Sequence, residues 1–118
     1  MLGNMTIADI TARIRNFRDA RHWMQFHNPK ELAVAVMAEA GELLQHFVWQ
    51  QPHQVEQRAR ERLPAIRDEM ADVAILLFEM ADNLGVDLGQ ALLEKLERNE
   101  VRYPVEKARG SNTKYNEL

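Results

Sequence analysis

Leu32-Ala-Val-Ala-Val-Met-Ala-Glu-Ala-Gly-Glu-Leu-Leu44 is an apolar stretch interrupted by two acids, Glu39 and Glu42. Asp68-Glu-Met-Ala-Asp-Val-Ala-Ile-Leu-Leu-Phe78 repeats the arrangement with Glu69 and Asp72. The alanines, leucines and methionines of both stretches favour helix. On a helix, residues three apart share a face, so each pair of carboxylates projects side by side against a core-facing stripe. Carboxylates in that position are costly unless they are paired, protonated or bound to a metal. Pairing within the helix does not account for them. Glu39 and Glu42 have no basic residue within four positions except His46, and Arg62 and Arg67 lie off the Asp72 face. Two such pairs facing each other build a hard, oxygen-only cation site suited to magnesium, with manganese as a substitute.

Composition narrows the class. The 118 residues make one domain with a small core, carry a net charge of −3 and contain no cysteine. The acidic balance argues against a nucleic-acid polymer as partner, and the absence of cysteine excludes disulfides and thiolate metal sites. No apolar run reaches membrane-spanning length. The segment Met1-Leu-Gly-Asn-Met-Thr6 lacks the features of a secretory leader, so a soluble, cytoplasmic protein is expected. Abundant alanine, leucine, glutamate and arginine with few glycines and prolines predict an all-α chain.

Local signals place four main helices. Thr6 and Asp9 form a capping-box pattern ahead of a stripe through Ile7, Ile10, Ile14 and Phe17, and this helix is expected to run to about Phe26. Asn28-Pro29 suits the cap and first position of a second helix running to about Trp49. Gly41 interrupts that helix at a cost of roughly 1 kcal/mol relative to alanine, which predicts a close approach by a helix or a ligand. The charged segment 54–62 reads as a short solvated helix or an ordered loop. A third helix starts near Leu63-Pro64 and is stopped by Gly85, and Asp87 caps a fourth that ends at Tyr103-Pro104. Residues 1–104 are therefore expected to form a helical domain, with 105–118 as a C-terminal arm. The third helix is apolar almost all round after Asp72, which predicts a four-helix protomer that self-associates through its helices.

Two further groups surround the carboxylates. Lys95, Asn99 and Arg102 share a face of the fourth helix with Tyr103 at its end, a set able to meet phosphate and sugar oxygens. Taken alone it is also what a solvated helix face looks like. Trp23, His27 and Trp49 supply aromatic surface, Trp49 two turns beyond Glu42 on the same helical face, for stacking on a base or for core packing. Di-iron bundles use Glu-x-x-His on two helices. Here His46 follows Glu42 by four, and Glu69 is followed by Asp72 with no histidine, so the nitrogen ligands of such a site are missing.

These residues resemble the MazG-like nucleoside triphosphate pyrophosphohydrolases, marked by Glu-x-x-Glu, a spacer and Glu-x-x-Asp. The pattern here is Glu39 and Glu42, twenty-six intervening residues, then Glu69 and Asp72. Within that family the chain looks closest to the dCTP pyrophosphatases. The supporting segments are His22-Trp-Met-Gln-Phe-His-Asn-Pro29, Glu39-Ala-Gly-Glu-Leu-Leu-Gln-His-Phe-Val-Trp49, Lys95-Leu-Glu-Arg-Asn-Glu-Val-Arg-Tyr-Pro104 and Lys114-Tyr-Asn-Glu-Leu118. The resemblance implies a magnesium-dependent hydrolase that cleaves a triphosphate between its α- and β-phosphates, assembled as a homotetramer. It implies Glu39, Glu42, Glu69 and Asp72 as metal ligands, and Trp23, His27 and Trp49 around the base. Lys95, Asn99, Arg102 and Tyr103 would lie at phosphate and sugar, and Lys114 in a closing arm.

The sequence departs from the dCTP-type pattern at Ile14, where a histidine is expected, and at Leu76, where a tyrosine is expected. Both changes remove polar groups and put base preference in question. In the mechanism so implied, one of Glu39, Glu42 or Glu69 is the general base, and Lys95 and Arg102 steady the leaving pyrophosphate. A non-catalytic helical oligomer that senses nucleotide, and a carboxylate-bridged redox bundle, are the rival readings.

Overall fold

The computed structural model describes residues 3–118, among which there is no strand. Met1 and Leu2, the start of the segment read above for a leader, lie outside them. The helices are α1 (Ile7–Ala20), α2 (Pro29–Gln45), α3 (Val55–Glu61), α4 (Leu63–Asn83), α5 (Leu88–Arg102) and α6 (Val105–Ala108). The four long ones are the four expected from sequence. The expected four-helix protomer is thus joined by two short helices, α3 in the charged segment and α6 in the C-terminal arm. The chain divides into two compact units, Met1–Gly85 and Val86–Leu118.

The helix starts follow their local chemistry. The Thr6 hydroxyl accepts from the Asp9 N–H at 3.1 Å, and the Asp9 carboxylate accepts from the Thr6 N–H at 3.0 Å, a complete capping box. Asn28 Oδ1 accepts from the Glu31 N–H at 2.8 Å, with Pro29 opening α2. Asp87 caps α5 through the Gln90 N–H at 3.0 Å. Gly85, at φ +70°, takes the left-handed conformation that ends α4 at little cost for a residue without Cβ.

Two helix ends differ from expectation, and both differ for the same reason. α1 stops at Ala20, six residues early. The N–H groups of Arg21 and Trp23 both turn back to the Arg18 carbonyl, at 3.2 and 3.1 Å, around His22 at φ +55°. α2 stops at Gln45, where turns from Leu44 to Phe47 and from Phe47 to Gln50 lead through Trp49 at φ +65°. A left-handed non-glycine residue costs roughly 1–2 kcal/mol, which the surrounding contacts must offset. At Gly41 a Cβ would meet nothing within 4 Å, so among the described residues no other helix approaches it closely.

In the first unit α2 packs along α4, and α1 packs on α4 as well. The enclosed apolar set is thin: Leu32 of α2, with Ile66 and Ala81 of α4. Charge supplements it. The Arg15 guanidinium forks the Asp82 carboxylate at 2.9 and 2.7 Å and holds that carboxyl below its usual range. Buried Arg18 donates to Asn83 Oδ1 at 2.8 Å, and His27 Nδ1 donates to buried Glu79 at 2.7 Å. Such charge-assisted forks fix α1 and the following turn on α4 with more directional precision than apolar contact gives.

Candidate metal and nucleotide site

Because α2 lies along α4, the pairs Glu39/Glu42 and Glu69/Asp72 come from neighbouring helices. Glu42, Asp72 and Glu69 all lie near enough for their charges to act on Glu39. Its carboxyl is held above the usual carboxylate range, first by burial and then by the negative charges of Glu42, Asp72 and Glu69. Glu39 Oε2 is buried and has no hydrogen-bond partner. A buried carboxylate oxygen without a donor is a costly arrangement, and a cation removes the cost.

Glu42 and Asp72 are exposed, whereas Glu39 and Glu69 are half-buried. Among the described residues no three acidic or imidazole side chains are already drawn in to ligating distance. Glu69 Oε2 is instead turned onto His46 Nε2 at 2.5 Å. The donor set is oxygen only, the unpartnered oxygen belongs to it, and burial together with the neighbouring negative charges disfavours the ionised form of Glu39. Those properties fit a magnesium or manganese ion, which keeps water and phosphate oxygens as its remaining ligands.

The raised Glu39 pKa has a consequence for stability. A carboxyl whose folded value lies above its ordinary 4.5 contributes stability that is fully present below that value and is lost as pH rises through the raised one. Near neutral pH the ionised group therefore works against the metal-free fold. Glu39→Gln is expected to melt at a higher temperature than the parent in chelator near neutral pH. The difference should shrink as the buffer is made acidic. Thermal melts across pH check this, and a lower melting point for the variant in neutral chelator would contradict it.

The other expected site residues fall in both units. In the first, Trp23 packs edge-on to Phe17 at 5.7 Å and lies 6.3 Å from the His27 ring. His27 is half-buried and oriented by Glu79. Trp49 is 93% exposed and lies beyond the end of α2, so the shared helical face with Glu42 does not exist. Ile14 lines an apolar cleft of about 500 Å³ with Ile10, Arg13, Phe17 and Ile75.

In the second unit, Lys95, Asn99 and Arg102 lie on α5, with Lys95 and Arg102 exposed. The Tyr103 N–H donates to the Asn99 carbonyl at 2.8 Å. Tyr115 gathers part of this group: its ring meets Tyr103 edge-on at 6.0 Å and lies 4.7 Å from the Arg102 guanidinium carbon. Lys114 precedes it, accepting from the Glu117 N–H at 2.9 Å through its carbonyl.

Sequence reasoning missed three participants. Tyr115 is one, and the buried Glu79 behind His27 is another. The third is the bond from His46 to Glu69, although His46 was visible one turn after Glu42. No spacing rule announces partners 52 or 23 residues apart.

The MazG-like family model matches residues 34–118. dCTP pyrophosphatase 1 of Bos taurus is 40% identical over 116 residues, covering 96% of this chain and 68% of its own length. The Homo sapiens protein of the same name is 40% identical with the same coverage. Among solved structures, a pyrophosphatase from Archaeoglobus fulgidus superposes with a TM-score of 0.79 at 33% identity, over 83% of this chain and 92% of that one.

Proposed function

The chain belongs to the MazG-like family, and from that premise we propose that it is a magnesium-dependent nucleoside triphosphate pyrophosphohydrolase. Its substrate on this reading is dCTP or a modified dCTP, and its products are the nucleoside monophosphate and pyrophosphate. The observation that carries the reading is the buried, unpartnered Glu39 oxygen lying in the field of three other carboxylates. The likeness to proteins named dCTP pyrophosphatase 1 supports the substrate.

In this mechanism Glu39, Glu42, Glu69 and Asp72 hold the cation. Bound there, magnesium would neutralise phosphate charge and make the attacking water easier to deprotonate. One of Glu39, Glu42 or Glu69 takes the proton of the attacking water as general base. The new bond forms from that water oxygen to the α-phosphorus. The bond from the α-phosphorus to its bridging oxygen breaks, and pyrophosphate leaves. Lys95 and Arg102 neutralise the leaving group, Asn99 and Tyr103 contact phosphate and sugar, and Lys114 belongs to an arm that closes on them. Trp23, His27 and Trp49 surround the base, and the near-complete exposure of Trp49 leaves its ring free to stack.

We further propose a homotetramer acting in the cytoplasm as a housecleaner of the nucleotide pool. Leu92, Leu93 and Leu96 of α5 are exposed, apolar side chains that association would cover. No helix among the described residues is long and apolar enough to cross a membrane. Incubation with a panel of deoxy- and ribonucleoside triphosphates tests the function. Magnesium-dependent release of pyrophosphate, fastest with dCTP or a 5-modified dCTP and abolished by chelator, is expected. Release led by another base would retain the chemistry and overturn the substrate. Absence of release from every nucleotide would overturn the function.

A further inference from the structure

His46 is neither a ligand nor a base in that scheme, yet at 8% exposure it is one of the most enclosed polar side chains in the chain. It follows the last residue of α2 and continues the face that carries Glu39 and Glu42. Two contacts hold it. Arg58 of α3 donates through Nε to its backbone carbonyl at 2.8 Å, and its ring Nε2 meets Glu69 Oε2 at 2.5 Å. The other ring nitrogen, Nδ1, is buried with no partner.

These facts determine what the ring does. A carboxylate accepts and does not donate, so Nε2 carries the hydrogen and donates it. A bare Nδ1 lone pair is tolerated in an enclosed site more readily than an N–H without an acceptor, which agrees with that tautomer. One oxygen of Glu69 is thereby occupied and the carboxylate is oriented. The hydrogen bond also offsets part of the repulsion among four acids.

We propose that His46 is a positioning residue. Its Nε2–H holds Glu69 Oε2 so that the remaining oxygen of Glu69 faces the other three carboxylates, and this raises the affinity of the quartet for a divalent cation. The inference rests on the quartet being the cation site. Groups that orient ligating carboxylates typically change metal affinity or activity by 10–100-fold when removed.

The test uses the full chain with manganese as the probe, its binding followed by electron paramagnetic resonance without nucleotide. His46→Leu keeps an apolar group in the enclosed site and removes the donor. His46→Gln keeps an N–H able to reach Glu69. The leucine variant is expected to bind manganese roughly 10–100-fold more weakly than the parent, and the glutamine variant to recover most of the loss. In turnover, the magnesium concentration for half-activation should rise for His46→Leu, while KM for the nucleotide at saturating magnesium stays near the parent value.

If His46→Leu fails to fold, His46→Asn replaces it. Asparagine keeps an amide that is too short to reach Glu69, and the same weakening and rescue are expected. Manganese binding by the leucine or asparagine variant as tight as the parent's would overturn the proposal. So would a glutamine variant no better than the leucine or asparagine one. Failure of the parent itself to bind manganese would overturn both this role and the cation site it serves.

Discussion

Alanine at Asp72, and separately at Glu42, is expected to lower kcat/KM for triphosphate hydrolysis by roughly 10²–10³-fold, the usual effect of deleting one group that stabilises transition-state charge. Both side chains are exposed, so neither holds the fold together. Their removal also relieves the repulsion that raises the Glu39 pKa, and the metal-free variants should melt no lower than the parent. The pairing of lost turnover with retained stability is the informative result. A group that mattered only for packing would lose both together. Steady-state kinetics at saturating magnesium, with thermal melts in chelator, make the comparison. Near-normal turnover by both variants would show that the quartet does not hold the catalytic cation.

Leu32→Ala has the largest expected effect on stability. At 1% exposure Leu32 is the most enclosed apolar side chain among the described residues, on α2, which packs along α4. Truncating such a leucine costs roughly 2–5 kcal/mol, through lost transfer energy and the cavity left behind. Among the described residues only Ile66 and Ala81 are enclosed apolar residues besides it, so Leu32 is a large part of a thin core. Against a total of roughly 5–15 kcal/mol for an ordinary domain, the loss leaves a protein close to unfolding. The same packing brings Glu39 and Glu42 beside Glu69 and Asp72, so cation binding should weaken with stability. Urea unfolding measures the first effect. A change below about 1 kcal/mol would mean that the Leu32 site collapses without loss, as a well-packed interior does not.

What could be read from the sequence was local. The Thr6–Asp9 box, the Asn28-Pro29 start, Gly85 and Asp87 each satisfy backbone groups within a few residues, and each acts as expected. The carboxylate pairs were legible for the same reason, since three-residue spacing fixes a helical face. The ends of α1 and α2 were not legible. His22 and Trp49 adopt left-handed backbone within local turns, closed by the Trp23 N–H on the Arg18 carbonyl and the Gln50 N–H on the Phe47 carbonyl, and no glycine or proline in the sequence announces them. That displaced Trp49 from the face of Glu42. The His27–Glu79 and His46–Glu69 bonds join residues far apart in sequence, and only the packing of the helices reveals them. Gly41 suggested a close approach by a helix or a ligand, and among the described residues no helix makes one.

The most direct test of the central claim is hydrolysis of dCTP with magnesium in ¹⁸O-labelled water, with both products analysed by mass spectrometry. Attack on the α-phosphorus predicts labelled dCMP, unlabelled pyrophosphate and neither product in chelator. Label in the pyrophosphate, or formation of dCDP and phosphate, would contradict the account.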